Sequence, residues 1–156
     1  MVCRTLMLEV DIVKRFRDFT LSVHFSAEDE RLGILGASGC GKSMTLRCIA
    51  GITKPDEGFI RINDRVVFDS KRRINLPPQE RRTGYLFQHY ALFPTMTLRQ
   101  NWEIVLRHLS NEKRKHLVEE MLEKLHLQGL EDSPPAKLSG GQKQRAAMGR
   151  MLLSAP

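Results

Sequence analysis

Residues 36–43 have the sequence Gly36-Ala37-Ser38-Gly39-Cys40-Gly41-Lys42-Ser43, which fits the phosphate-binding pattern G-x-x-x-x-G-K-[ST]. The pattern requires a strand before it and a helix after it. Both are predicted, because the apolar run Leu32–Leu35 favours a buried strand and Met44–Ala50 favours a helix that ends at Gly51. The glycines permit backbone conformations in which successive N–H groups surround phosphate oxygens. This stretch therefore predicts an α/β fold with a nucleotide phosphate site.

The residue types of this loop predict separate roles. Lys42 is expected to neutralise the β- and γ-phosphates of a nucleotide, and the Ser43 hydroxyl to complete the ligand shell of Mg²⁺. The helix N-terminus near Gly41 adds a field that favours anions. Because Cys40 lies where the loop enters the helix, its alkylation is expected to block nucleotide binding.

The other elements follow from residue periodicity. Two-residue alternation predicts antiparallel strands over 6–13 and 19–25 and a hairpin that turns at Asn63–Asp64, and Gly84–Phe87 is predicted as a further short strand. From Thr97 onward the periodicity is helical.

Two helices are predicted in this later part of the chain. Asn111 is predicted to cap a helix whose apolar stripe faces the core, and Gln144–Leu153 is predicted to form a last helix. The stripe consists of Leu117, Val118, Met121, Leu122 and Leu125.

Composition favours one cytosolic domain. The chain has 156 residues, is 41% hydrophobic and contains three cysteines without metal-ligand spacing, which we expect to be reduced: Cys3, Cys40 and Cys48. The net charge is +7, with basic clusters at Lys71–Arg73, Arg81–Arg82 and Lys113–Lys115. Because no nucleic-acid-binding motif accompanies the charge, solvated surfaces are the preferred interpretation of these clusters.

Two later segments narrow the function. Gln88 follows the predicted strand Gly84–Phe87 and begins a loop. The segment Leu138-Ser139-Gly140-Gly141-Gln142 is a glycine-rich turn before a helix, which is a second arrangement suited to anions. In this order the three motifs resemble those of ATP-binding subunits of ABC transporters, over essentially the whole chain.

The resemblance implies an ABC ATPase core of the P-loop NTPase class. Its antiparallel β subdomain, partial parallel sheet and helical subdomain imply three parts of the chain: a nucleotide-binding core over 1–96, a helical subdomain over 97–140 and a signature helix over 141–156. Relative to that fold the chain is expected to be incomplete at its C-terminus, since it ends before the family's Mg²⁺-binding Asp, general-base Glu and switch His. ATP binding is then expected to survive, and turnover is not.

The resemblance also implies ligands and partners. Gln88 would position Mg²⁺ and the attacking water, Ser139, Gly140, Gly141 and Gln142 would contact ATP held by an opposite subunit, and Phe16 would stack on adenine unless it packs in the core. The implied partners are a second copy or another ATPase subunit, transmembrane permease subunits at the cytoplasmic face of the membrane and, indirectly, a substrate-binding protein. Tyr90–Thr97 resembles the surface that receives the permease.

The solute and the alternatives depend on weaker features. The segments Lys14–Phe25 and Leu76–Arg82 resemble importers of molybdate and related oxyanions. Trp102 stands where the family usually has a small aliphatic residue, and packing is the interpretation. Two other functions stay open at this point, a truncated module that binds nucleotide without hydrolysis and a soluble ABC-type ATPase that acts on nucleic acid.

Overall fold

A computed structural model describes residues 7–154 of the chain, so Cys3 lies outside the described residues. The chain divides into two compact units, one ending at Thr83 and the other beginning at Gly84. None of the helices in the described range is long and apolar enough to cross a membrane.

The first unit is an antiparallel sheet with one helix. Its elements are β1 (Met7–Arg15), β2 (Thr20–Glu28), α1 (Lys42–Ile49), β3 (Glu57–Ile62), β4 (Arg65–Asp69) and β5 (Ile74–Asn75). The strand order is β2-β1-β3-β4-β5. The predicted antiparallel strand pair and the hairpin at Asn63–Asp64 are confirmed, as is the end of α1 before Gly51, whose φ is 79°.

The core of this unit lies between β1, β3, β4 and α1. Val10 and Ile12 alternate with outward residues of β1, and β1 pairs with β3 so that Val10 faces Ile60. Cys48 of α1 packs in the same cluster and is fully buried. Each such aliphatic side chain contributes about 1.5–3 kcal/mol through burial. The sheet therefore fixes the position of the helix that follows residues 36–43.

The predicted strand at Leu32–Leu35 is not formed. Residues 31–37 have no regular secondary structure, and within residues 7–154 no backbone hydrogen bond involves Leu32–Leu35. Leu32 and Leu35 are 48% and 94% exposed. A strand is stabilised by the hydrogen-bond ladder to a neighbour, and no described segment pairs with this one. The predicted strand Gly84–Phe87 is also not formed, so among residues 7–154 the antiparallel part of the expected sheet is present and the parallel part is not.

The second unit is helical. It contains α2 (Leu98–Glu103), α3 (Asn111–Lys124) and α4 (Gly140–Leu153), with short 3₁₀ turns between them. The predicted stripe of α3 is confirmed as core: Val118 and Leu122 are buried, and the other three residues pack against the same cluster. The predicted cap is off by one position, because Ser110 precedes the first helical residue, Asn111. Helix α4 begins at Gly140, earlier than the predicted Gln144, since Ser139 and Gln142 form a capping box.

Trp102 occupies the centre of this second core. Its side chain is fully buried, and its Nε1 donates to the carbonyl oxygen of Ala146 in α4 at 2.7 Å. The packing interpretation of Trp102 is therefore confirmed, and the residue joins α2 to the middle of α4.

Candidate phosphate-binding site

The segment 36–43 forms a turn that leads directly into α1, which begins at Lys42. Gly41 precedes the helix with φ 100°. This backbone conformation favours glycine, and a Cβ atom at this position would also lie 2.6 Å from Cδ1 of Leu21 in β2, so that the leucine side chain would have to move. The first N–H groups of α1 have no intrahelical partner and present the positive end of the helix at this turn.

Lys42 is folded back over the loop that precedes it. Its Nζ donates to the carbonyl oxygens of Gly36 at 2.7 Å and Ala37 at 2.6 Å, and lies 3.7 Å from Sγ of Cys40. Ser43, in the first turn of α1, is exposed. An ammonium group, an exposed hydroxyl and free helix N–H groups thus converge on one turn, and this donor set fits a polyphosphate with its Mg²⁺ ion.

An apolar cavity of about 340 Å³ borders the loop. Lys42 and Ser43 line one side of it, and the remaining walls are apolar: Leu8, Phe25, Leu32, Ile34, Leu46 and Ile49. Its wall includes part of the unpaired Leu32–Leu35 segment. The phosphate loop is therefore flanked by apolar surface that this unit leaves uncovered.

Arg81 supports α1 from its other end, which the sequence did not indicate. The charge pattern predicts a solvated cluster at Arg81–Arg82, and this is wrong for Arg81, which is only 3% exposed. Its guanidinium donates to the carbonyl oxygens of Cys48 at 2.8 Å, Ile49 at 3.0 Å and Leu76 at 2.8 Å. Burial lowers the pKa of this arginine, and its charge stabilises the C-terminal end of the helix.

Phe16 lies at the end of β1 and is partly exposed. Its ring stacks on Phe19, with centroids 4.6 Å apart and an interplanar angle of 8°. Phe16 is absent from the buried core of the described residues. Contact of Phe16 with adenine stays a prediction.

The other two motifs lie in the second unit. Gln88 is exposed in a turn, and Ser139 to Gln142 form the start of α4. The Ser139 N–H donates to Oε1 of Gln142 at 2.8 Å, and the Gln142 N–H donates to Oγ of Ser139 at 3.3 Å. This reciprocal cap fixes both side chains at the positive end of a 14-residue helix.

Within this unit, neither packing nor backbone conformation requires glycine at the two glycine positions of this turn. A Cβ atom at Gly140 would meet nothing within 4 Å, and one at Gly141 would meet only Nη1 of Arg145 at 3.8 Å. Neither residue has the positive φ that favours glycine. Glycine destabilises a helix by up to about 1 kcal/mol relative to alanine, so these two positions carry a residue that the helix itself does not favour.

Comparison with known proteins gives curated relatives and a solved structure. The molybdenum import ATP-binding protein ModC of Paramagnetospirillum magneticum is 43% identical over 96% of this chain and 41% of its own length. The molybdate/tungstate import ATP-binding protein WtpC of Archaeoglobus fulgidus is 40% identical over 97% of this chain and 60% of its own length. The trehalose/maltose import ATP-binding protein MalK of Thermococcus litoralis is 40% identical over 94% of this chain.

The structural comparison agrees with the expected fold class. A dimeric post-hydrolysis structure of the ATP-binding cassette MJ0796, bound to ADP and Pi, superposes with a TM-score of 0.70 and 26% identity. The superposition covers 96% of this chain and 70% of that chain. The chain spans about 41% of the length of the ModC relative that it matches. Residues 19–156 match the family described as ABC transporter, so this chain belongs to the ABC transporter family.

Proposed function

We propose that the chain is the ATP-binding part of an ATPase subunit that powers solute import. The observation that carries this proposal is the phosphate loop, in which Lys42 and the start of α1 converge on one turn while Gly41 permits that turn. In this proposal Lys42 neutralises the phosphates, and Ser43 and Gln88 hold Mg²⁺. The bound ion would supply charge neutralisation at the phosphate oxygens.

Nucleotide binding is tested with Lys42→Ala. Lys54→Ala is the matched control, because Lys54 is an exposed lysine of the same unit outside the loop. Titration with a fluorescent ATP analogue should show at least about a 100-fold loss of affinity for Lys42→Ala and less than a twofold change for Lys54→Ala, since loss of a charge-assisted contact to phosphate costs about 3 kcal/mol. Equal affinity for wild type and Lys42→Ala would contradict the assignment.

We propose further that Ser139, Gly140, Gly141 and Gln142 contact the γ-phosphate bound to a second ATPase subunit. The support is that glycine at positions 140 and 141 serves no purpose within this unit. Gly141→Glu should leave ATP affinity unchanged and remove ATP-dependent association, measured by light scattering at several protein concentrations. Association of Gly141→Glu equal to that of wild type would contradict this role.

The solute is proposed to be molybdate or a related oxyanion, delivered by a substrate-binding protein to permease subunits at the cytoplasmic face of the membrane. The proposal is supported by the ModC and WtpC relatives, while the MalK relative at 40% identity makes a sugar the competing solute. Uptake of labelled molybdate and maltose by cells that carry the wild-type gene or Lys42→Ala distinguishes the two. Loss of maltose uptake alone would refute the oxyanion.

A further inference from the structure

The segment that follows Gln88 has an unusual backbone. Tyr90 and Ala91 have φ values of 59° and 48°, so two successive residues other than glycine are in the left-handed region. The N–H of Ala91 donates to the carbonyl oxygen of His89 at 2.6 Å, which closes a very tight turn. Such a conformation is unfavourable in itself and persists only where surrounding contacts hold it.

Asn101 of α2 holds the later part of the segment. Its side chain is fully buried, and its Oδ1 accepts from the N–H of Phe93 at 2.8 Å. Its Nδ2 lies within hydrogen-bond distance of the carbonyl oxygens of Phe93, Met96 and Thr97, at 3.0–3.2 Å. One buried amide side chain therefore ties together backbone groups of residues 93–97.

Arg150 of α4 holds the strained residue itself. Its Nη2 donates to the carbonyl oxygen of Ala91 at 2.5 Å, its Nη1 lies 3.4 Å from Oδ1 of Asn101, and its Cζ lies 5.1 Å from the ring centre of Phe93. Within the described residues it forms no ion pair with a carboxylate. The half-buried guanidinium thus contacts the backbone and the ring of one loop and the asparagine side chain that holds that loop.

The position of Arg150 on α4 gives these contacts a meaning. It lies about two helical turns after Gln142, on the helix that begins with the signature residues. We propose that Arg150 is a positioning residue that links α4 to the segment Gln88–Phe93. A shift of α4 would break or shorten the hydrogen bond from Arg150 to the carbonyl oxygen of Ala91 and thereby move Gln88. The functional part of this proposal rests on the proposed function, in which Gln88 serves the nucleotide at this chain's own phosphate loop and the signature residues serve the nucleotide bound to a second subunit.

The positioning role is tested by hydrogen exchange of the backbone amides in wild type, Arg150→Lys and Arg150→Met. The amides of Ala91 and Phe93 should exchange at least about tenfold faster in Arg150→Met, because their carbonyl and ring contacts are lost, and Arg150→Lys should restore part of the protection through Ala91. The emission of Trp102, the only tryptophan of the chain, reports whether α4 stays packed. Unchanged protection of Ala91 and Phe93 with unchanged Trp102 emission would overturn the proposal.

A second variant keeps the test decisive if Arg150→Met loses its packing. Phe93 is 43% exposed and lies outside the core, so Phe93→Leu removes the ring beneath the guanidinium without opening a cavity. Phe93→Leu should accelerate exchange of the Ala91 amide. In the double variant Phe93→Leu/Arg150→Lys this amide should exchange no faster than in the faster of the two single variants. Independent, multiplicative effects of the two changes would show that they do not act through one contact.

The coupling to nucleotide is tested separately with MgATP. Exchange of residues 88–93 should change on addition of MgATP in wild type and should stay constant in Arg150→Met, while ATP affinity is the same in both. Failure of wild type to bind ATP would refute the proposed function, and the exchange experiment without nucleotide would still decide the positioning role. An identical MgATP response in Arg150→Met would refute the coupling.

Discussion

Replacement of Gly149 by alanine should destabilise the second unit, although alanine is the better helix former. Gly149 lies inside α4, where it packs against the ring of Trp102. A Cβ atom there would lie 2.5 Å from Cζ2 and 2.7 Å from Cε2 of Trp102, and 2.9 Å from Cδ1 of Leu125. All three distances are shorter than van der Waals contact, so the substitution requires a neighbour to move.

The size of the effect follows from two opposing contributions. Alanine gains about 1 kcal/mol over glycine in a helix interior, whereas overpacking of a core costs about 1–3 kcal/mol. The upper end applies because the Trp102 ring is fully buried and its Nε1 is bonded to Ala146, which restricts any shift. We therefore expect a net loss of about 2 kcal/mol in the free energy of unfolding.

Urea denaturation, followed by Trp102 emission and far-ultraviolet circular dichroism, measures this loss. Gly141→Ala is the control in the same helix, since its added methyl meets only Arg145 at 3.8 Å, and it should not destabilise the protein. In a Trp102→Leu background, which lacks tryptophan and is followed by circular dichroism alone, Gly149→Ala should cost at least about 1 kcal/mol less than in wild type, because the ring that it strikes is gone. Wild-type or higher stability of the single variant Gly149→Ala would show the steric reasoning to be wrong.

Three further changes test other parts of the structure. Arg81→Met should lower the free energy of unfolding by about 3 kcal/mol, because buried carbonyl groups lose their donor, whereas Arg82→Met at an exposed position should change it little in the same urea titration. The backbone N–H of Arg15, at the end of β1, and the side chain of Lys14 lower the pKa of Asp56. Asp56 therefore contributes stability above the ordinary aspartate pKa range, and this contribution is lost as pH falls through the lowered pKa. Asp56→Asn should remove this acid-side slope from the plot of unfolding free energy against pH. Alkylation of exposed Cys40 should block ATP binding and be slowed by ATP, while buried Cys48 stays unmodified by mass spectrometry; full ATP affinity after complete modification of Cys40 would contradict this.

Much of the first unit and the local geometry of residues 36–43 could be predicted because the deciding signals are local. Two-residue alternation identified the strand pair, and the letters of residues 36–43 identified a loop whose glycines and lysine do lie together. The strand predicted at Leu32–Leu35 is wrong because the deciding signal for a strand is not only local. Its apolar pattern is that of a strand, but a strand also needs a neighbour, and within the described residues none pairs with it.

Contacts between distant residues were beyond the reach of these patterns. Arg81 stands beside another arginine and gives no local sign of burial, and Arg150 contacts residues far away in the chain. The turn at Tyr90 and Ala91 carries no glycine that would indicate a left-handed backbone. The contact of Trp102 with Gly149 is of the same kind, since α4 also contains Gly140 and Gly141 and no local pattern singles out Gly149.

The contacts of Lys42 bear on the kinetics of ligand entry. Because its ammonium group donates hydrogen bonds to the carbonyl oxygens of Gly36 and Ala37, the loop is held by contacts within the chain that need no ligand. The loop therefore loses its conformational entropy during folding, and ligand binding does not carry this cost. The oxygens of an incoming phosphate must replace these two carbonyl oxygens as hydrogen-bond acceptors of Lys42. This change is local and involves a single side chain. Association should accordingly follow one exponential whose rate rises in proportion to ligand concentration, without a plateau set by slow rearrangement of the loop.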